Sequence, residues 1–211
     1  MDKSDGYKIQ DINPTIGNQT LSLPKFIMSY NSVYLQLVMG DGYGGKGCYN
    51  TLCQGYVQTN PNIPLGFSFQ HTSTYDGDQW SATLQTIQDA SGNWWLFFDD
   101  DNKILGYFPK DLFPILGSGP ATRVDWGGET YSPTNVCPPM GSGHFPDEGA
   151  RKAGFMRGIK VMNQARQPEN APLNTANVAD IPQNYRVLDS RVISPEPVGR
   201  SFFYGGPGGN C

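Results

Sequence analysis

Glycine and proline are the residues that most restrict what this chain can fold into. The 211 residues include 26 glycines and 17 prolines, well above average usage. Because both residue types interrupt helices and strand interiors, the chain needs many tight turns between short elements. Aromatic residues make up 12% of the sequence and can fill a core between two sheets. The composition therefore favours a single all-β domain, a sandwich or a barrel.

Charge and hydropathy exclude two classes of partner. The formal net charge is -4 and the sequence has no basic cluster, which argues against nucleic acid. No apolar run approaches the roughly 18 residues that span a bilayer, so we expect no membrane partner. Residues 1–6 lack the apolar core of a signal peptide. Either the protein is cytosolic, or the segment that carried its address is absent from this chain.

Periodicity predicts where the strands lie. Residues 32–39 alternate apolar and polar side chains and then meet a Gly-Asp-Gly turn, which predicts a half-buried strand. Residues 93–98 and 104–108 are aromatic-rich runs that predict a hairpin around a polar turn. We interpret the acidic run 99–101 in that turn as a solvated tip, with a cation site as the less favoured alternative. Residues 163–184 have weak periodicity and predict a long functional or disordered loop.

Cys48 and Cys53 bracket a tight loop. A disulfide across that loop is favoured over free thiols and fits an oxidising compartment. Zinc is the rival interpretation, but the chain has only two histidines and its cysteines lack paired CxxC spacing. We therefore expect no metal and no cofactor. A bridge between Cys137 and Cys211 is a further hypothesis, since sequence does not fix connectivity.

Carboxylates are the best candidates for chemistry, because the common catalytic signatures are absent. The sequence has no GxSxG, HExxH, P-loop or GxGxxG motif. His144 lies among glycines and is interpreted as an ordered structural residue. Glu148 follows Asp147 at a predicted helical turn, where negative charge suits the helix dipole. Glu169 and Glu196 lie in polar context and are expected to be solvated.

Glu129 has the most distinctive surroundings of the four glutamates. If residues 123–131 form a strand, Asp125, Gly127 and Glu129 share one face. Gly127 then leaves open space beside Glu129, as a site that admits a peptide backbone would. Asp125 is excluded as its carboxyl partner, because four residues of strand span about 13 Å. From the residues alone, an exposed glutamate after a glycine bulge is favoured, and a site residue is the alternative.

Seven stretches, in order and in register, resemble the neprosin family across roughly residues 30–211. The resemblance implies an antiparallel β-sandwich of two curved sheets. It also divides the chain into a poorly matched segment, 1–30, and a neprosin-like domain, 31–211. The seven stretches are 41–43, 47–60, 92–96, 105–109, 126–129, 140–146 and 204–208.

The resemblance implies a secreted peptidase that works in acid and cuts a peptide or protein next to proline. Members of the family use two glutamates that face each other across a cleft, and by resemblance Glu129 is one of them. The Cys48–Cys53 disulfide also carries over.

The second glutamate of the family is expected upstream, but no glutamate precedes Glu129. The resemblance therefore predicts an incomplete pair, in a chain that starts after the first catalytic strand or whose strand has diverged. We expect a monomer. The alternative function is a catalytically inactive β-sandwich that binds peptides or glycans.

Overall fold

The computed structural model describes most side chains from residue 54 onwards and, before that residue, the backbone of several strands. Side chains are described for residues 54–67, 69, 71–98, 103–113, 116–117, 119–121, 124–130, 132 and 134–211. Strand backbone alone is described for residues 8–10, 15–16, 19–20, 25–29, 32–38 and 47–49.

The described residues form strands and two short 3-10 helices, without an α-helix, which confirms the predicted all-β class. Each strand pair whose register is described is antiparallel. The arrangement of two sheets as a sandwich stays a prediction. The strands are β1 (Lys8–Gln10), β2 (Thr15–Ile16), β3 (Gln19–Thr20), β4 (Lys25–Ser29), β5 (Ser32–Val38), β6 (Gly47–Tyr49), β7 (Val57–Gln58), β8 (Leu84–Gln88), β9 (Trp94–Phe98), β10 (Lys103–Phe108), β11 (Val136–Cys137), β12 (Gly154–Met156), β13 (Lys160–Met162), β14 (Pro168–Asn170), β15 (Arg186–Leu188), β16 (Phe202–Gly205) and β17 (Gly209–Asn210).

The two 3-10 helices span Lys110–Leu112 and Pro146–Glu148. Neither is long or apolar enough to cross a bilayer, and the described part of the chain contains no other helix. The chain folds into two compact units. Among the residues with described side chains, the N-terminal unit takes 54–72 and 80–126, and the C-terminal unit takes 73–79 and 127–211.

The N-terminal unit contains two four-stranded sheets, ordered β1-β4-β5-β6 and β7-β10-β9-β8, and the hairpin β2-β3. Strand β5 confirms the strand predicted over 32–39. The predicted aromatic hairpin is also confirmed, because β9 and β10 pair with Trp95 opposite Tyr107. Their rings lie 4.6 Å apart. The acidic run 99–101 between them lies outside the described residues.

Strands β9 and β10 supply the core of the N-terminal unit, β9 by alternating burial and β10 across a register shift between Ile104 and Gly106. Leu96 and Leu105 point to the same buried side and are fully enclosed, as are Phe108 and Leu116. Trp94 is also buried and donates its indole N–H to the Leu116 carbonyl at 3.2 Å. That bond satisfies the one polar atom of a large aromatic side chain in the core.

The C-terminal unit contains the three-stranded sheet β12-β16-β15 and the pairs β11-β17 and β13-β14. A disulfide joins Cys137 of β11 to Cys211, the residue after β17. The predicted Cys137–Cys211 bridge is therefore confirmed. It joins two cysteines that are 74 positions apart in the sequence. The predicted Cys48–Cys53 bridge lies outside the described residues, because the structure does not describe Cys53.

The segment 163–184 contains more regular structure than its composition predicts. Strand β14 lies inside it and pairs with β13. Directly after β14, the Ala171 N–H donates to the Ile159 carbonyl at 3.0 Å, and Ala171 is 2% exposed. Backbone pairing to a neighbouring hairpin strand fixes this part of the segment, although its own side-chain pattern is weak. The prediction of one long loop is wrong for β14.

Candidate functional site

The segment that carries Glu129 belongs to no strand. Residues 124–130 have no regular secondary structure, so the strand predicted there is wrong over those residues. Two consecutive glycines, 127 and 128, offer no side chains to pack on a pleated surface, which weakens a strand. The inference that Asp125 and Glu129 share a face therefore falls. Asp125 lies in the N-terminal unit, and its exclusion as the carboxyl partner stays a prediction.

The two glycines before Glu129 have opposite surroundings. No described atom lies within 4 Å of the position that a Cβ on Gly127 would take. A Cβ on Gly128 would come within 2.6 Å of the Met140 sulfur and 2.8 Å of the Tyr204 ring. Gly127 thus leaves the open space that the sequence predicts, while Gly128 lets the backbone pack closely. Glu129 itself is half-buried and so differs from the exposed glutamate favoured from the residues alone.

Met140 and Tyr204, which pack against Gly128, belong to a hydrogen-bonded and buried part of the C-terminal unit. Met140 exchanges two backbone hydrogen bonds with Gly206, at 2.9 and 3.1 Å. Tyr204, on β16, is 5% exposed, and burial raises the pKa of its phenol above the ordinary value. A phenol in this state stays neutral. Tyr204 supports the segment by packing, since its ring lies against the backbone at Gly128.

Thr130, directly after Glu129, is tied to the same unit by a hydrogen bond. Its hydroxyl donates to the Tyr185 hydroxyl at 3.0 Å. Tyr185 in turn donates to the Pro138 carbonyl at 2.7 Å. Tyr185 is 7% exposed and lies directly before β15. Glu129 is thus flanked by one residue that packs on the unit and one that is hydrogen-bonded to it.

Tyr75, His144 and Glu148 form a second cluster in the C-terminal unit. Tyr75 donates to one carboxylate oxygen of Glu148 at 2.8 Å, and the His144 Nδ1 lies 2.9 Å from the other. The rings of Tyr75 and His144 are 4.3 Å apart. His144 is therefore ordered by neighbours, as the sequence predicts. The hydrogen bond from Tyr75, and after it that from His144, lowers the pKa of the Glu148 carboxyl.

This cluster helps to attach residues 73–79 to the C-terminal unit. Next to Tyr75, the Asp76 N–H donates to the Arg151 carbonyl at 2.9 Å. The Arg151 guanidinium donates back to the Asp76 carbonyl at 2.5 Å. Side chains and backbone together hold the segment across about 70 residues of sequence. Nothing in the local pattern of residues 73–79 predicts this attachment, because it depends on distant partners.

We expect Tyr75→Phe to raise the pKa of Glu148, because it removes the hydrogen bond that stabilises the ionised carboxylate most. Since the pKa of Glu148 is lowered on folding, the bond adds stability at neutral pH. That contribution is lost as the pH falls through the folded-state pKa of Glu148. A ¹³C NMR titration measures the pKa of Glu148. The free energy of unfolding, measured at a series of pH values, gives the contribution to stability. Tyr107→Phe is the control, and an unmoved Glu148 titration in Tyr75→Phe would contradict the assignment.

The remaining glutamates are exposed, as the sequence predicts. Glu196 lies 3.0 Å from the Lys160 ammonium, a pair at the surface. Within the described ranges, no three His, Cys, Asp or Glu side chains are grouped closely enough to hold a metal ion. Thr130 and Tyr185 were not predicted to contact each other, because the two residues are 55 positions apart and no local pattern links them.

The structure thus defines an all-β protein whose candidate site is a half-buried glutamate on an irregular, anchored segment. The model of the neprosin family matches residues 24–207. That match covers most of the chain, and the chain belongs to the neprosin family.

Proposed function

We propose that this chain is a glutamic-type endopeptidase domain that cuts proline-containing peptides in acid, with Glu129 as its catalytic carboxylate. The observation that carries the proposal is the difference between the surroundings of Gly127 and Gly128, the two residues before Glu129. Open space beside Gly127 admits a substrate backbone, and packing at Gly128 holds the glutamate in place. Membership of the neprosin family supports the same reading.

The chemistry requires two carboxyl groups in different states. An ionised Glu129 acts as general base on a water, which attacks the scissile carbonyl. A second, protonated carboxyl donates to the developing oxyanion and then supplies a proton to the leaving amine. Two neighbouring carboxyls separate their pKa values, which gives one base and one acid in acidic solution.

We propose that the glutamate pair is incomplete in this sequence. No glutamate precedes Glu129, so the oxyanion lacks the donor that a second glutamate provides. Loss of one such donor typically lowers a rate by about 10²–10³-fold. Turnover is therefore expected to be slow unless an aspartate takes the vacant role.

We also propose that the domain works outside the cell, as a monomer. The Cys137–Cys211 disulfide supports this location, because such bridges persist in oxidising compartments. Family membership agrees with it.

The test is hydrolysis of a fluorogenic peptide with a central proline, against the same peptide with alanine in its place. We expect slow cleavage next to proline at about pH 3 and none at about pH 7, since turnover requires an aspartate in the vacant role and that carboxyl must be protonated. Mass spectrometry of the products locates the cut. Circular dichroism at both pH values controls for unfolding. A folded chain that leaves the proline peptide intact at about pH 3 would contradict the proposal.

An inactive binding module is the second candidate, and one observation favours it. In the N-terminal unit, Trp80 is 52% exposed and its ring stacks on His71 at 4.6 Å. An exposed, supported indole suits a flat contact with a proline or sugar ring. Quenching of tryptophan fluorescence by the uncut peptide, lost in Trp80→Ala, would favour this function over hydrolysis.

A further inference from the structure

We propose that the Tyr185 hydroxyl, acting through Thr130, is a positioning group for Glu129. This inference rests on the proposed function, because it assigns a role in the reaction of that same site. Tyr185 is placed here as a positioning residue, since the contact it makes is with the neighbour of Glu129.

The need for such a group follows from the backbone. Residues 124–130 have no regular secondary structure, so strand pairing does not fix the direction of Glu129. A general base must lie within hydrogen-bond reach of the water it activates. Contacts made by the residues on either side of the glutamate contribute to that precision.

Gly128 and Thr130, the residues on either side of Glu129, both contact residues in or next to the sheet β12-β16-β15. Gly128 packs against Tyr204, which is on β16. Thr130 is bonded to Tyr185, which directly precedes β15. Strands β15 and β16 pair with each other, with Val187 opposite Tyr204. Glu129 therefore lies between an attachment to β16 and an attachment to the residue directly before β15.

The hydrogen bonds through Tyr185 run in one direction. A backbone carbonyl only accepts, so the Tyr185 hydroxyl donates to Pro138 at 2.7 Å. Its oxygen is then an acceptor, and Thr130 must be the donor at 3.0 Å. This arrangement leaves the Thr130 hydroxyl a single orientation. Pro138, the last acceptor in these hydrogen bonds, directly follows Cys137, which is held by the disulfide to Cys211.

Packing alone does not replace this bond. Gly128 has no side chain, so its contact limits how closely the backbone approaches but not its rotation. The bond to Tyr185 restrains the chain on the other side of Glu129. Loss of the hydroxyl is expected to let the carboxylate move relative to the open space beside Gly127, and small displacements of catalytic groups lower rates steeply.

The experiment uses Tyr185→Phe and Thr130→Val, which remove one hydroxyl each, and Thr130→Ser, which keeps the donor. We expect the first two to lower kcat by about tenfold with KM nearly unchanged. Thr130→Ser should restore most of the activity. In the double variant the loss should be close to that of Tyr185→Phe alone, because both changes remove the Thr130–Tyr185 bond and Tyr185→Phe removes the bond to Pro138 as well.

Matched controls exist in the N-terminal unit. The Tyr56 hydroxyl and the Thr86 hydroxyl are buried and have no hydrogen-bond partner among described groups. Tyr56→Phe and Thr86→Val make the same chemical changes without breaking a hydrogen bond to any described group. Both should leave kcat unchanged, which separates the loss of the Tyr185–Thr130 bond from a general effect of removing hydroxyls.

A second readout does not depend on turnover. The chain has four glutamates, so ¹³C-glutamate labelling gives few carboxyl signals, and Glu129→Gln assigns the one from Glu129. We expect that signal to shift or broaden in Tyr185→Phe and Thr130→Val, and to stay in place in Thr130→Ser and both controls. An unchanged Glu129 signal in the first two variants overturns the positioning role. A responding signal in a chain that cleaves nothing supports positioning and overturns the peptidase function instead.

Discussion

Glu129→Gln is expected to reduce acid hydrolysis of the proline peptide to the background rate, a loss in kcat of at least about 10²-fold. The amide has nearly the same shape as the carboxylate but cannot accept a proton from water. Because the change affects the reacting group rather than the substrate contacts, KM should change little. The measurement is initial rate against peptide concentration at about pH 3.

Two further variants make this result specific. Glu169→Gln removes an exposed glutamate on β14 and should leave kcat unchanged. Glu129→Asp keeps the charge but withdraws it by one methylene, and its kcat should lie between those of the wild type and the glutamine variant. Full activity of a folded Glu129→Gln protein would show that another group is the base.

Local pattern predicted the parts of the fold that local interactions determine. The β9–β10 hairpin was predicted from two aromatic-rich runs around a polar turn, and the two strands pair as expected. Strand β5 was predicted from its alternating apolar and polar residues. The open space at Gly127 agrees with the prediction, but the close packing at the neighbouring Gly128 shows that a missing side chain alone does not decide it.

Long-range partners explain what the sequence did not predict. The segment around Glu129 reads as a strand but is irregular, because Gly128 packs on Met140 and Tyr204 rather than in a ladder. The role of Tyr185 depends on a partner 55 positions away. Strand β14 forms by pairing, with little support from its own side chains. None of these contacts has a signature within a short window of sequence.

Arg200→Met is expected to lower the free energy of unfolding by about 3–5 kcal/mol, the cost of leaving a buried charge without its partner. Arg200 and Asp189 are each 3% exposed at the side chain, and the guanidinium binds both carboxylate oxygens at 2.5 Å. The Thr175 hydroxyl accepts a further bond from Arg200 at 3.2 Å. Asp189→Leu alone should lower the free energy of unfolding by a comparable amount, because it leaves the Arg200 charge unpaired.

The double variant Arg200→Met with Asp189→Leu separates the cost of an unpaired buried charge from the cost of losing the whole ion pair. Removing both charges should cost clearly less than the two single changes together, because neither side is then left unpaired. Lys160→Met is the control, since the Lys160–Glu196 pair is exposed and worth at most about 1 kcal/mol. Equal losses in Arg200→Met and Lys160→Met would refute the argument.

The measurement must report on the C-terminal unit. All four tryptophans lie in the N-terminal unit, so indole fluorescence is unsuitable there. Denaturation followed by circular dichroism, with amide exchange at Ile159, gives the needed signal, because the Ile159 N–H donates to the Arg200 carbonyl at 3.0 Å.

The pH dependence of this pair bears directly on the proposed activity in acid. The hydrogen bonds from Arg200 lower the pKa of the Asp189 carboxyl below its ordinary value. Its contribution to stability is therefore complete above the ordinary range of an aspartate, and it is lost only as the pH falls through the lowered pKa. The stability gap between wild type and Asp189→Asn should persist into acid and close only below that range. A gap that closes near the ordinary aspartate pKa of about 3.9 would contradict a pair that holds the C-terminal unit together under acid conditions.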